Sequence, residues 1–596
     1  MKKKKNILSE KKNLIYTIPI ALVVILVPLL VRFTIYETGI HNVVWTNEDY
    51  YSTDLYLKCK SIAFTVLAGI MLVLLALDYK TVFQKLKTEK LIWILFGGYS
   101  LLVLLSAIAS DYQLFAWKGG VGQFESAFVL LGYIVAGLYL FIYAREKEIA
   151  SKIPYFFLTS TLIMGITGIF QFLGKDLFAT RFVQSLCIPR HVLEASGGIH
   201  FRFEENRVYM TLYNPNYTGI YCACMLVIIF SLLLSEKKLW LKALYVVSLI
   251  LQGICLFGSG SKTGIIIAAV MMVVVLALHI RSILKYWYLA LIGAVAVFAC
   301  VYVGFKFNSV DLILTFIDSI KPVKADYRLT DVYTAQDGIY FCYDGVEFMV
   351  AMDVTETDLA VGAQCKDGSE FEITSVEDGS AHFMLRHEKL PDIPITFMDY
   401  NGIVCMSVAL DGADWIVTNQ IAPMYLYLNS SLKWDVIRVP EKAIFTDYPM
   451  WITGRGDIWA KSIPLLKDSL LLGSGPDSFV MVYPNNDYLG EHNSGINNEY
   501  TTRPHNWYLQ MGIQTGVVSL LLLLTAFALY LVRGTSFCVK NALLTGEEKD
   551  TSYVEAFFLG SVTFMLMGMI NDSSIGVTPL FWCMLVMALT GMKKKK

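Results

Sequence analysis

The run Arg503-Pro504-His505-Asn506-Trp507 sets an imidazole where a long polar segment meets a long apolar one. An imidazole at such a mouth suits proton transfer, because its ordinary pKa of about 6.5 lies near physiological pH. Three other short motifs set cations at comparable boundaries. Arg207 precedes Tyr213-Asn214-Pro215-Asn216-Tyr217, whose Asn-Pro-Asn supplies a turn into an apolar span. Lys262 follows Gly258-Ser-Gly-Ser261, a corner whose glycines admit close approach and whose next helix offers free N–H groups to an anion. Arg455 lies in Thr453-Gly-Arg-Gly-Asp457-Ile-Trp459, followed by Leu471-Leu-Gly-Ser-Gly-Pro-Asp-Ser-Phe479. The spacing of Ile458, Ile463, Leu466 and Leu470 predicts an amphipathic helix along the membrane surface, starting at Arg455. Singly, each has a plain structural explanation: a snorkelling arginine, a packing corner, a histidine at a helix start. Together they describe cations around an anion with a base beside it.

The elements that must position these residues are membrane spans. Apolar stretches give about twelve of them: Leu14–Val31, Ser61–Leu77, Leu91–Ala109, Ser126–Tyr143, Pro154–Leu173, Tyr213–Leu234, Leu241–Phe257, Thr263–Leu278, Trp287–Phe305, Trp507–Val532, Tyr553–Ile570 and Thr578–Met592. The basic tracts Lys2–Lys5, Lys80–Lys90, Arg145–Lys152, Glu236–Lys242, Arg281–Lys285, Arg533–Lys549 and Lys593–Lys596 fall on one side, which the positive-inside rule assigns to the cytoplasm together with both termini. The first apolar run is read as a retained helix, since no small-residue cleavage pattern follows Val31. A formal net charge of -1 says nothing about nucleic acid, because the lysines are segregated by side rather than spread over a surface; no nucleic-acid partner is expected of such a membrane protein. The inner loops are too short to build a cytosolic pocket.

The chain thus divides into helices 1–9 (1–305), a large outer segment (306–506) and helices 10–12 (507–596). Within 326–445 the pairs Asp337-Gly338, Asp344-Gly345, Asp367-Gly368, Asp378-Gly379, Asn401-Gly402 and Asp411-Gly412 punctuate short runs, as tight hairpin turns do. The expected fold is a polytopic α-helical membrane protein with an inserted extracytoplasmic all-β domain, followed by a loop segment (446–506) carrying the amphipathic helix. The aromatics Tyr340, Phe348, Phe371, Trp415 and Tyr425 are read first as core and second as a sugar platform. Most of the eleven cysteines lie in apolar helices as small hydrophobes; a pair among Cys342, Cys365 and Cys405 stays open. No metal-ligand spacing, Walker loop, dinucleotide fingerprint or nucleophile elbow occurs.

These four motifs, in this order and spacing, resemble those of the O-antigen ligase family, from about Tyr213 onward and most strongly over Arg455–Phe479 and Pro504–Gly516. The resemblance implies a metal-independent, inverting glycosyltransferase of the GT-C type with no cofactor. It would work on the outer face of the plasma or inner membrane and move a glycan from undecaprenyl diphosphate to a glycan, lipid or protein acceptor. It gives Arg207, Lys262 and Arg455 the diphosphate and His505 the general base, with Arg503, Asn506, Asp457 and Trp459 in support. Lys262 stands where the family has arginine, which keeps the charge but loses the bidentate fork. The chemistry is consistent: a departing diphosphate gathers negative charge that cations stabilise, and neighbouring charges keep the imidazole neutral and basic. Ligase and polymerase share this donor chemistry. A flippase of lipid-linked saccharide is the competing reading, opposed by the scarcity of charge at mid-span, and a non-catalytic sensor is a third.

Overall fold

The computed structural model describes residues 2–146, 149–198, 206–280, 321, 324–355, 358–375, 381–495, 500–543 and 552–592. Among them seven helices are long and apolar enough to cross a membrane: Leu57–Leu77, Tyr79–Ala109, Ala127–Ala144, Ile153–Phe172, Pro215–Ser235, Leu239–Ser259 and Val517–Leu543. The shorter apolar helices Asn13–Leu29, Lys262–Leu278, Tyr553–Met567 and Thr578–Gly591 coincide with other expected spans. The expected span Trp287–Phe305 lies outside the described residues.

The outer helices carry their apolar residues bare. On Leu57–Leu77, Ile62, Val66, Ile70 and Val73 form one exposed stripe, which fits a lipid-facing surface. The centre is built from two hidden helices. Every residue of Thr578–Gly591 is buried, and Pro215–Ser235 is buried along most of its length. Ala127–Glu146 packs on the first, while Leu239–Ser259 and Ser552–Met567 pack on the second. Gly219 explains how closely the Gly-Ser corner approaches: a Cβ there would sit 2.2 Å from the Ser261 side chain.

Two expected helices differ from the sequence reading. Trp507–Val532 is broken into Trp507–Thr515 and Val517–Leu543. Gly516 makes the break at φ +103, and a Cβ there would meet the Leu471 carbonyl at 2.5 Å. The bend lets Val517 N–H donate to Ser469 O at 2.8 Å, so the preceding loop is stitched to the helix start. The stretch Trp451–Ser462 is kinked by left-handed Ile452, Thr453 and Gly454, so its regular helix starts at Arg455 as the spacing predicts, and it gives way at Pro464 to a short 3-10 turn. Its apolar side chains Ile458 and Leu466 pack on Phe479, Tyr483 and Ile513, and of the expected membrane-facing set Leu470 is exposed.

A separate β-sheet region follows Asp326. Leu329–Thr334, Ile339–Tyr343, Val346–Val354 and Leu359–Cys365 form one antiparallel meander, and seven strands from Glu372–Ser375 to Trp434–Asp435 form another. Asp344-Gly345, Asn401-Gly402 and Asp411-Gly412 hold positive φ at both residues, the hairpin geometry expected of those pairs. Phe341, Phe348, Val350, Ile395, Val408 and Trp415 are buried in one apolar cluster. Tyr488 and Leu489 enter that cluster from the later segment, and Asn493 Nδ2 donates to Leu329 O at 3.1 Å. The sheets are therefore tied to the segment that carries Arg455 and His505. Among the described residues every cysteine is a free thiol.

Candidate functional site

His505 sits between Pro504 and a helix whose start is fixed by Asn506. The Asn506 side-chain oxygen accepts from Tyr508 N–H at 3.0 Å and Leu509 N–H at 3.1 Å, and its Nδ2 donates to Met569 O at 2.9 Å. The same residue thus caps one helix and reaches the turn after another. His505 itself adopts φ +49, a left-handed conformation that costs energy and turns the ring out of the helix path. Its Nδ1 lies 2.9 Å from Asp572 Oδ2.

Asp572 is the residue that sequence reasoning missed. It stands in the turn between Ser552–Met567 and Thr578–Gly591 and is 3% exposed. Burial alone would raise its pKa, but His505, Arg503 and Arg455 together hold it below the usual carboxylate range. An ionised carboxylate only accepts, so the proton of this contact sits on His505 Nδ1, and Nε2 is the ring nitrogen that Asp572 does not engage. Arg503 Nε is 4.0 Å from the same oxygen, and Arg503 Nη1 donates to the Tyr217 hydroxyl. Arg455 is fastened by backbone: Nε donates to Ile570 O at 2.9 Å, and Nη1 to Ile452 O at 3.2 Å and Thr453 Oγ1 at 2.7 Å. The chain turns left-handed over Ile452, Thr453 and Gly454 to make that loop. Burial lowers the Arg455 pKa and Asp572 opposes the shift. Trp459 Nε1 donates to Pro504 O at 2.9 Å, locking the Arg455 helix to the His505 turn.

Arg455, Arg503 and His505 line a cleft of about 750 Å³ together with Asn216, Asp457 and Lys442. That volume lies toward the upper end of the ~300–1,000 Å³ of ligand pockets. Asp457 is engaged in a second cluster, with Lys461 at 2.5 Å and Lys442 at 3.9 Å. Asp487 closes it, 2.6 Å from Lys461 and 3.5 Å from Lys442.

Arg207 is brought to the Gly-Ser corner that leads into Lys262, rather than to this cleft. The Arg207 guanidinium lies over Gly260, where a Cβ would come within 2.3 Å of Nη1, and Lys262 begins the next helix behind its Ser261 cap. Neither lines the cleft that Arg455 lines. Both corners nevertheless flank the first turn of Pro215–Ser235. Asn216 faces the cleft, Tyr217 holds Arg503, and Gly219, about 3 Å further along the axis, receives Ser261.

The Gly473–Asp477 motif serves packing. Ser474 and Gly475 N–H groups donate to Ile513 and Gln514 carbonyls at 3.0 Å each, against the last turn of the His505 helix. Asp477 accepts from Gly120 N–H at 2.5 Å and Glu125 N–H at 3.1 Å. Behind Asp572, the buried Glu125 carboxyl accepts from the Tyr133 and Ser573 hydroxyls. Burial pushes Glu125 up to about 7.

Long apolar helices with lipid-facing stripes, around a cationic cleft that holds a carboxylate-oriented histidine, define a membrane protein equipped to handle an anionic ligand. Residues 415–524 match the O-antigen ligase family model, so the family resemblance read from the motifs is borne out over this stretch. The match includes Arg455, Asp457, Trp459, Arg503, His505 and Asn506, and leaves Arg207, Lys262 and Asp572 outside. Searches of curated proteins and of solved structures found no match. The family supports an O-antigen ligase- or polymerase-like activity in general, with lipid-linked glycan and acceptor partners.

Proposed function

We propose that this protein transfers a glycan from undecaprenyl diphosphate to an acceptor hydroxyl on the outer side of the plasma or inner membrane, with inversion at the anomeric carbon. The observation that carries the reading is the His505 Nδ1 to Asp572 Oδ2 contact of 2.9 Å in a cleft that also presents Arg455 and Arg503. His505 Nε2 takes the proton of the attacking hydroxyl as its oxygen bonds to the anomeric carbon. The bond from that carbon to the diphosphate breaks, and the electron pair leaves with the phosphate oxygen. Asp572 orients the ring and stabilises the imidazolium that forms. Arg455 and Arg503 stabilise the charge gathering on the departing diphosphate, and their guanidinium forks suit its oxygens. Arg207 and Lys262 stand outside this cleft, beside the Pro215–Ser235 helix start, and their assignment to the diphosphate rests on the sequence motifs alone.

In this reading the chain has about twelve spans, the three segments set out above and both termini in the cytoplasm, with 326–445 as an inserted β domain beside the catalytic loop. Asn506, Asp457 and Trp459 support the site, by capping the helix, pairing Lys461 and joining Arg455 to His505. The test is release of undecaprenyl diphosphate from a lipid-linked oligosaccharide by the purified full chain in lipid. Acceptor-dependent release that disappears in His505→Ala and Arg455→Ala is expected, with a product ladder for a polymerase and one shifted species for a ligase. Flipping of labelled lipid without release would overturn the assignment.

A further inference from the structure

The aromatics of the β-sheet region separate into two sets. Phe348, Trp415 and Tyr425 are buried in the apolar cluster, and Phe371 packs against it. Tyr340 does not join them. It pairs with Tyr333 across adjacent strands, on the outer face of the four-stranded meander. The two rings are 4.8 Å apart and 3° from parallel, and Tyr333 is 39% exposed. The Tyr340 hydroxyl donates to Asp337 at 2.6 Å, which fixes the ring and sets a carboxylate beside it. Parallel stacking spends one face of each ring on the other and braces the pair, and an outer ring face with a carboxylate at its edge offers C–H packing to a sugar ring and hydrogen bonds to its hydroxyls.

This face continues from the cleft. Thr330, on the same strand as Tyr333, lines the cleft, and a register shift between Leu329 and Asp331 turns the strand there. From Thr330 to Tyr333 is about 10 Å of extended chain. Burial raises the Asp331 carboxyl, and the charge of Lys442, which lines the cleft, counters the rise. Asn493, on the cleft side, holds the Leu329 carbonyl, and Ala325 N–H donates to Asp447 O at 2.9 Å. Sheet and cleft are thus held in register.

We infer that the outer sheet face carrying Tyr333 and Tyr340 is a saccharide platform that holds the acceptor glycan beyond its reacting end. The inference rests on reading the cleft as a glycan-transfer site. Asp331 and Asp337 border the platform, while Lys366 is paired with Glu347 at 2.5 Å, so the surface suits a neutral chain better than a polyanionic one. The experiment uses the full chain in lipid nanodiscs and, as probe, fragments of the surface polysaccharide of the cell that makes the protein, graded from one repeat unit upward. Affinity measured by calorimetry should rise with fragment length. Tyr333→Ala and Tyr340→Ala should each weaken the long fragments about three- to tenfold, while Tyr333→Phe keeps the ring face and the affinity. The platform is overturned if the alanine variants bind long fragments as the wild type does, or if the wild type binds all lengths alike. If length-dependent binding is lost in the alanine variants but the wild type releases no carrier, the platform stands and the transfer reaction falls.

Discussion

On one wall of the cleft Lys442 and Lys461 face Asp457 and Asp487, two cations for two carboxylates; on the other, Arg455, Arg503 and His505 converge on Asp572 alone. The first cluster is closed. Lys461 and Asp487 are each about 5% exposed and form an ion pair at 2.6 Å, so little charge is left for a ligand. The second keeps positive charge in excess of its single carboxylate, and its arginines are held by backbone carbonyls and a tyrosine that leave the guanidinium charge uncancelled. A balanced cluster in a cleft braces the fold, whereas an unbalanced one is prepared for an anion.

The largest expected effect is on the unbalanced side. His505→Ala should lower carrier release about 10²–10⁴-fold with the melting temperature little changed, because it removes the proton acceptor from a half-exposed position. Turnover that survives would move the base elsewhere and erase the distinction between the walls. Lys461→Ala should act in the opposite way, cutting unfolding stability by about 3–5 kcal/mol as it leaves buried Asp487 short of its closest partner. Denaturant unfolding of the purified chain reads this directly. A variant that keeps its stability but loses turnover would make the balanced cluster catalytic.

Asp572→Asn sharpens the comparison within the second cluster. An amide can hold the ring but cannot stabilise an imidazolium, so release should fall roughly 10- to 100-fold, with KM for the donor less affected than kcat. An unchanged kcat would demote Asp572 to a structural anchor for the two arginines.

What the sequence made legible follows periodicity and local chemistry. Apolar runs of span length appear as helices because little else accommodates them, and Asp344-Gly345, Asn401-Gly402 and Asp411-Gly412 turn as hairpins because both residues tolerate positive φ. His505, Arg455 and Arg503 could be singled out because each sits in a motif at a boundary. Asp572 could not, since it meets His505 across 67 residues and two apolar helices, and patterns of spacing carry no pairing information at that range. The available signal was a lone acid in Asn571-Asp572-Ser573-Ser574 between two apolar spans whose one charged residue, Glu555, lies at the far end of the first, so that an unpaired carboxylate there would be costly. The Gly473–Gly475 motif was legible as a turn, yet its reason is contact with Ser110 and the Ile513–Gln514 backbone, which only the fold discloses.

The smallest expected effect concerns acids near the two walls. Glu491 lines the cleft beside the balanced cluster and Glu125 lies behind Asp572; burial pushes each up to about 7. An unfolded glutamate releases its proton near 4.3, so between about 4.3 and 7 the folded chain binds more protons and stability falls as pH rises. Asp572 and Asp487 shift the other way: their contribution is present above the unfolded carboxylate value and is lost only as pH falls through their lower folded values. They therefore add no slope in the same window. The melting temperature should decline from pH 4.5 to 7, with buried Asp477, also pushed well up, sharing in the decline; Glu125→Gln should flatten part of it, and Glu491→Gln less because it is less completely buried. Equal slopes in wild type and both variants would assign the decline to other groups and leave the two walls distinguished by Asp572 and Lys461 alone.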